Sequence, residues 1–321
     1  MGDRTYSSAL GPKIAAYVAA RRTEGCKFAT GADQIALLDR YASAVGWDSD
    51  QLGRELVEGF VLPRPGERPR TREMRASAVR CFGRHLAIRG EDAYVLPPYN
   101  SSIGKYYFVP RLLTEEEVGR LFEAADSMAF SPQSPLRHIV VPMLLRVTHC
   151  CGLRISEATG LLVSDVDLDG GVLTVRNAKF NKDRRVPMSP SLAHRCRSYA
   201  AAVHRAGRSG APFYPSPRGG CYHGGNTMGP VFRALLAAAG IEHHDDGPTL
   251  HSLRHSFAVH RLARWADEGV DVNAMLPYLS AYMGHEGLLG TERYLRLTSE
   301  MLPALRGLVD SASSDVIPGV V

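Results

Sequence analysis

The sequence predicts a mainly α-helical chain with one small antiparallel β-sheet, divided into a helical N-terminal domain and a larger C-terminal domain. Three observations carry this expectation. Apolar residues recur at three- and four-residue spacing through most of the chain, as on helices with one buried face. One segment, 161–189, instead holds β-favouring residues between Gly- and Asp-rich turns. A Pro- and Gly-containing stretch near residue 100 interrupts the helical pattern and marks a boundary.

In order, Thr30–Arg89 reads as helical, with Ile35, Leu38, Tyr41 and Ala42 on one face. The Pro-rich patch Leu62–Pro69 breaks it. A second helix is expected over Thr71–Ile88, with Met74, Ala78, Phe82 and Leu86 on one side. Arginines crowd this region: Arg64, Arg68, Arg70, Arg72, Arg75, Arg80, Arg84 and Arg89. Such a cluster reads equally as a solvated face or as a set of phosphate contacts, to which the planar guanidinium is suited. The run LPPYNSSIGKYYFVPR, with Pro97, Pro98, Gly104 and Pro110, opposes a continuous helix and sets the boundary. The expected organisation is a domain over 1–98, a linker over 99–111, a second domain over 112–310 and a tail over 311–321.

The second domain opens on Thr114-Glu115-Glu116-Glu117, an N-cap with an acidic first turn that also fits a capping box, so a helix should run to about Asp126. Another is expected over His138–His149, interrupted by Gly152 and resuming near Ser156. Val172, Thr174 and Val175 favour a strand, as do the residues around Val186, with turns at Asp169-Gly170-Gly171 and Lys179–Asp183. Two or three antiparallel strands follow from this. Helices resume over Ser191–Ala206, Met228–Ala239 and His251–Glu268, the last with Thr249 as N-cap and Gly269 as its stop.

Composition narrows the function classes. At 321 residues there is room for two domains of ordinary size. A hydrophobic content of 45% and a charged content of 22% suit a soluble globular protein. No apolar run is long enough to span a bilayer and no secretory h-region opens the chain, so the expected location is the cytoplasm. The net charge of +5 permits a nucleic-acid partner without requiring one. The six cysteines form no CxxC pair, and Cys150 and Cys151 read as small core residues. His243-His244-Asp245-Asp246 reads as a solvated loop, and no metal or cofactor is expected.

Four separated pieces carry chemistry: CGLRISEATGL (151–161), AKFNKDRRVPM (178–188), HSLRHSFA (251–258) and MGHEGLLGTERY (283–294). Each alone is unremarkable in its residues: Arg154 and Glu157 could be a surface ion pair, HxxR is a weak motif, and Tyr294 could be a packing residue. Together they make a chemically coherent set. Two arginines can bind the non-bridging oxygens of a phosphodiester, where charge builds up during displacement. A tyrosine can attack phosphorus and hold the product covalently. A lysine or histidine can protonate the leaving 5′ oxygen. No phosphate-cradling Walker A loop is present.

The order Arg, Lys, HxxR, His, Tyr, in the motifs CGLRISE, KxxKxRxVP, HxLRHxFA and GH with Tyr nine residues on, resembles that of the tyrosine recombinases, the phage integrase family. The resemblance covers most of 110–310 and implies a catalytic domain there, acting on double-stranded DNA. It implies Tyr294 as nucleophile forming a 3′-phosphotyrosyl link, Arg154 and Arg254 as the phosphate clamp, and Lys179 as the acid for the leaving oxygen. It implies His251 in proton transfer, His285 on the phosphate and Glu157 orienting the site. It further implies a helical core-binding N-terminal domain, with Arg70, Arg72, Arg75 and Arg80 as DNA contacts together with Lys182, and a homo-tetramer on paired DNA sites. The chain departs from the pattern at Ala178-Lys179-Phe180, where glycines often flank the lysine, so Lys182 is a rival acid. The long lead-in DVNAMLPYLSAYM before Gly284-His285 resembles integrases of mobile elements. A type IB topoisomerase, or a DNA-binding protein without catalysis, are the alternative readings.

Overall fold

The computed structural model describes residues 4–24, 28–98, 110–176, 183–204, 210–222, 224–244, 247–285, 291 and 294–295. Contacts divide the chain into two compact units, Met1–Tyr106 and Tyr107–Val321. The division falls within the stretch read as the linker.

The first unit contains α1 (Gly11–Thr23), α2 (Ala29–Ala44), α3 (Arg54–Phe60) and α4 (Pro69–Ile88). Its core gathers Leu10, Ile14, Ile35, Leu38, Leu56, Phe60, Val79 and Phe82. Helix α4 starts at Pro69, where a proline costs no hydrogen bond because the first-turn N–H groups have no helical acceptor. Its buried face is Arg75, Ala76, Val79, Phe82, Gly83 and Leu86. The expected face, with Met74 and Ala78, is rotated from this one; both residues lie at its rim. The rotation matters, because it carries Arg75 into the interior.

The second unit contains α5 (Glu115–Asp126), α6 (Arg137–Cys150), α7 (Ile155–Thr159), β1 (Val166–Asp167), β2 (Val172–Val175), β3 (Arg184–Pro187), α8 (Pro190–Val203), α9 (Gly224–Ala238), α10 (Leu250–Asp267) and α11 (Val272–Met283). The strands form one antiparallel sheet in the order β1-β2-β3, with Val166 opposite Leu173, Val172 opposite Pro187 and Val175 opposite Arg184. Leu173, Val175 and Val186 point into the core, as the two-residue period requires. The capping box at α5 is present: Glu117 N–H donates to Thr114 Oγ1 at 3.1 Å, and Thr114 N–H to the Glu117 carboxylate at 2.9 Å.

Helix α10 is the structural centre of this unit. It packs on α6, α9 and α11. His149 at the end of α6 meets the Leu253 carbonyl at 3.0 Å, and the Ser256 hydroxyl accepts from Leu113 N–H at 2.8 Å. Burial pushes the His149 imidazole down to about 4, so it is neutral and acts as a packing group. Cys151 is buried as expected, whereas Cys150 is exposed, because consecutive residues at a helix end point about 100° apart. Two helices are not assigned by the sequence pattern, α1 and α11. In α11 the internal Pro277 masks the signal, but Asp271 caps the start by accepting from Asn273 and Ala274 N–H at 2.9 and 3.2 Å.

Candidate active site

Three chain reversals bring the motifs together. The first is the turn between α6 and α7. Gly152 sits there at φ +57°, a conformation that favours glycine, and an added Cβ would lie 2.5 Å from the Phe257 ring. The turn delivers Arg154 to the N-cap of α7 and places Glu157 at the third helical position. The expectation that the two share a helix face is therefore refined: the pair closes the helix start. Arg154 N–H donates to Glu157 Oε2 at 2.9 Å and Arg154 Nη1 to Oε1 at 2.7 Å.

The second reversal is the hairpin from β2 to β3, which ends on Arg184. Its Nη1 and Nη2 donate to the same Glu157 carboxylate at 3.1 and 2.8 Å, and its Nε donates to the Tyr282 carbonyl at 3.0 Å. The third is the end of α11, where Gly284 stops the helix at φ +70°. Its carbonyl accepts from Arg154 Nη2 at 3.3 Å, and a Cβ here would come within 2.8 Å of Arg184 Nη1.

Arg254 enters from the first turns of α10 and is 1% exposed. Its Nη1 donates to the Gly152 carbonyl at 2.6 Å and its Nη2 to the Met283 carbonyl at 2.8 Å. Nη1 also lies 3.9 Å from Glu157 Oε2. Burial pulls this guanidinium down to about 10, with the charge of Arg154 adding to the effect, so it remains cationic at neutral pH. Among the described residues, three guanidinium groups thus surround one carboxylate, an excess of two positive charges. Glu157 is held down to about 2: burial opposes its ionisation, but the hydrogen bonds and charge of Arg184, then the bonds from Arg154, outweigh it. A partly buried cationic site of this kind fits a monoanion.

Beside it stands a ring cluster. Tyr294 is 3% exposed and lies close enough to act on the charge of Arg254. Its hydroxyl is 2.9 Å from His255 Nδ1, and its ring stacks on that of His285, with centroids 5.9 Å apart at 22°. His285 Nδ1 meets Thr291 Oγ1 at 2.8 Å. Burial, then the nearby Arg254, Arg154 and Arg184 charges, press the His285 imidazole down to about 4, so it is neutral at pH 7. His251 is exposed, one helical turn before His255, and its ring meets that of His255 edge-on with centroids 4.5 Å apart.

The structure therefore gathers Arg154, Glu157, Arg254, His285 and Tyr294, with His251 at the edge of the group. Lys179 and Lys182 lie outside the described residues. Two participants are absent from the sequence expectation. Arg184 was visible in KxxKxRxVP, and its alternation with buried Val186 on β3 places both on one side of the strand. His255 follows Arg254 directly and is four residues after His251, a spacing that puts two imidazoles on one helix face.

The arginines of the first unit divide. Arg70 is exposed and pairs with Glu73 at 3.0 Å. Arg72 Nε donates to the Val61 carbonyl at 2.8 Å and Arg80 Nε to the Leu96 carbonyl at 3.0 Å. Arg75 corrects the expectation of a DNA contact: it is 1% exposed, ion-paired with Glu67 at 2.5 Å, and donates to the Phe60 and Leu62 carbonyls. It lies one turn before Val79 and two turns before Phe82, on the core side of α4. Arg64, Arg68, Arg84 and Arg89 are exposed.

Among the described residues no helix is long and apolar enough to cross a membrane, and no group of three or more His, Cys, Asp or Glu is placed to hold a metal ion.

The chain is similar in sequence and in fold to known proteins. A Sinorhizobium fredii protein that bears the name integrase/recombinase y4rE is 31% identical over 317 residues, covering 95% of this chain and 98% of its own. The tyrosine recombinase XerA of Thermococcus kodakarensis is 31% identical over 245 residues, 75% of this chain and 76% of its own. In fold, the chain is similar to the XerH site-specific recombinase bound to difH substrate, with a TM-score of 0.62 at 17% identity over 85% of this chain and 78% of that one. It is equally similar to the Tn1549 transposon integrase in complex with transposon right end DNA, with a TM-score of 0.62 at 17% identity over 92% and 100%. Residues 111–301 match the phage integrase family, and the chain belongs to that family of tyrosine recombinases.

Proposed function

We propose that the chain is a site-specific DNA recombinase that cuts and rejoins duplex DNA through a 3′-phosphotyrosyl intermediate. The observation that carries this is the convergence of Arg154, Arg184 and Arg254 on Glu157, beside the buried Tyr294 hydroxyl. A diester phosphate entering this site supplies the missing negative charge. Arg154 and Arg254 bind its non-bridging oxygens, and their carbonyl and carboxylate anchors hold them in place before the substrate arrives. Neutral His285 donates a hydrogen bond to the same phosphate. Tyr294 attacks phosphorus, and Lys179, with Lys182 as its rival, protonates the departing 5′ oxygen. His251 assists in proton transfer. A 5′-hydroxyl from another strand then reverses the sequence of steps.

The guanidinium groups provide the electrostatic stabilisation, so the reaction is expected to proceed in EDTA and without nucleotide. The N-terminal unit supplies phosphate contacts through its exposed arginines, Arg70 among them, and four copies act on two paired sites. The test is strand exchange between two labelled duplexes that carry the DNA flanking the chain's own gene. Recombinant product in EDTA, absent with Arg154→Ala or Arg254→Ala, supports the proposal. Relaxation of supercoiled plasmid of any sequence, with no exchange between duplexes, would instead indicate a topoisomerase.

A further inference from the structure

We propose that His255 is the general base that takes the proton from the Tyr294 hydroxyl. The inference rests on Tyr294 being the nucleophile and goes beyond it by naming the group that activates it. Two histidines, His255 and His285, lie against this tyrosine, and they meet it in different ways. His285 presents its ring face to the Tyr294 ring, 22° from parallel, and commits Nδ1 to Thr291 Oγ1. His251 meets the ring of His255. His255 Nδ1 lies within hydrogen-bond reach of the hydroxyl, at 2.9 Å. This is the separation that direct proton transfer between heavy atoms requires.

The backbone explains the placement. His255 follows Arg254 on α10, so the residue that binds phosphate and the residue that meets the nucleophile are fixed to one another by a single peptide unit. Buried Ser252, Leu253, Ser256 and Phe257 hold this turn of the helix in the core. The ring is inclined at 53° to that of Tyr294, which aims an edge nitrogen at the hydroxyl. With the phenol donating, Nδ1 is the unprotonated nitrogen and Nε2 carries the hydrogen.

In cleavage the Tyr294 O–H bond breaks and its proton passes to His255 Nδ1. The oxygen bonds to phosphorus and the bond from phosphorus to the 5′ oxygen breaks, that oxygen taking its proton from the lysine side. In rejoining, the incoming 5′-hydroxyl gives up its proton to the lysine, and His255 returns its own to the departing phenolate. Nothing is consumed over the cycle.

The experiment uses the full chain and a nicked duplex selected from a randomised pool by its SDS-resistant attachment to the wild-type protein. Single-turnover cleavage is measured for Tyr294→Phe, His255→Ala and His255→Asn. Asparagine keeps a hydrogen-bond acceptor near the position of Nδ1 but does not accept the proton, and it guards against a folding failure of the alanine variant. The expected result is no adduct with Tyr294→Phe. Both His255 variants should bind the duplex as the wild type does and cleave it slower by on the order of 100-fold. Placing 3,5-difluorotyrosine at position 294, whose phenol ionises more readily, should recover roughly tenfold of the His255→Asn deficit, as expected for lost proton abstraction. Cleavage by His255→Asn within about threefold of wild type would overturn the inference, leaving the histidine a mere hydrogen-bond partner. A deficit that the fluorinated tyrosine leaves untouched would overturn it as well. An adduct that persists in Tyr294→Phe would instead remove the nucleophile reading on which it rests.

Discussion

The Glu157 carboxylate is the common partner of Arg154, Arg184 and Arg254. Replacing Glu157 with glutamine keeps the shape and removes one negative charge from among three guanidinium groups. The carboxyl is held at about 2 against an ordinary value of 4.5. The difference, at 1.36 kcal/mol per pH unit, corresponds to about 3 kcal/mol of native-state stabilisation at neutral pH. This agrees with the roughly 3–5 kcal/mol lost when one partner of a buried ion pair is removed. Because the folded-state value is depressed, the contribution is complete above about pH 4.5 and is lost as pH falls toward 2. The assay is urea denaturation of the chain and of Glu157→Gln, both carrying Trp47→Phe. The sequence has two tryptophans, so Trp265 then reports on the second unit alone. The expected loss is about 3 kcal/mol at pH 7, shrinking to roughly half near pH 3. Strand cleavage should also fall by at least about tenfold, because Arg154 and Arg184 lose their common anchor. A loss below about 0.5 kcal/mol at pH 7, or one that grows on acidification, would refute the reasoning.

Other perturbations separate structural from functional arginines and test the turns. Arg75→Ala should destabilise the N-terminal unit by about 3–5 kcal/mol in thermal or urea unfolding, since Glu67 and two carbonyls lose their donor. Arg70→Ala should change stability by less than about 0.5 kcal/mol, yet reduce the salt dependence of DNA binding by about one phosphate contact. The opposite pattern would return Arg75 to the DNA surface. Gly284→Ala should cost about 1–3 kcal/mol through its positive φ and the crowding of Arg184, and slow cleavage with it; an unchanged Tm and rate would contradict the described turn. Lys179→Ala should slow cleavage sharply and be rescued by a 5′-bridging phosphorothiolate, whose sulfur leaves without a proton. If Lys182→Ala alone behaves so, the two lysines exchange roles.

The fold was legible where local rules and tertiary packing agree. The capping box at Thr114 and Glu117 and the strands around Val172–Val175 and Val186 stand where turn chemistry and periodicity put them. Helix α11 escaped because Pro277 reads as a breaker, although the apolar stripe Val272, Leu276, Leu279 and Met283 continues through it. Arg75 escaped because arginine is ordinarily a surface residue, while its spacing to Val79 and Phe82 already placed it inside. Within the site, Arg154, Arg254, His285 and Tyr294 were readable as an ordered set, but the partners that hold them were not. The carbonyls of Gly152, Met283 and Gly284 leave no trace in residue type, and the contact of His255 with Tyr294 joins positions 39 residues apart.

In the proposed reaction Tyr294 becomes covalently attached to DNA. Trapping the reaction on a nicked duplex, digesting the adduct with trypsin and locating the nucleotide-bearing residue by mass spectrometry identifies the attached side chain. The expected result is a 3′-phosphodeoxynucleotide on Tyr294 and no adduct from Tyr294→Phe. Attachment at any other residue, or an adduct that survives this substitution, would contradict the proposed reaction.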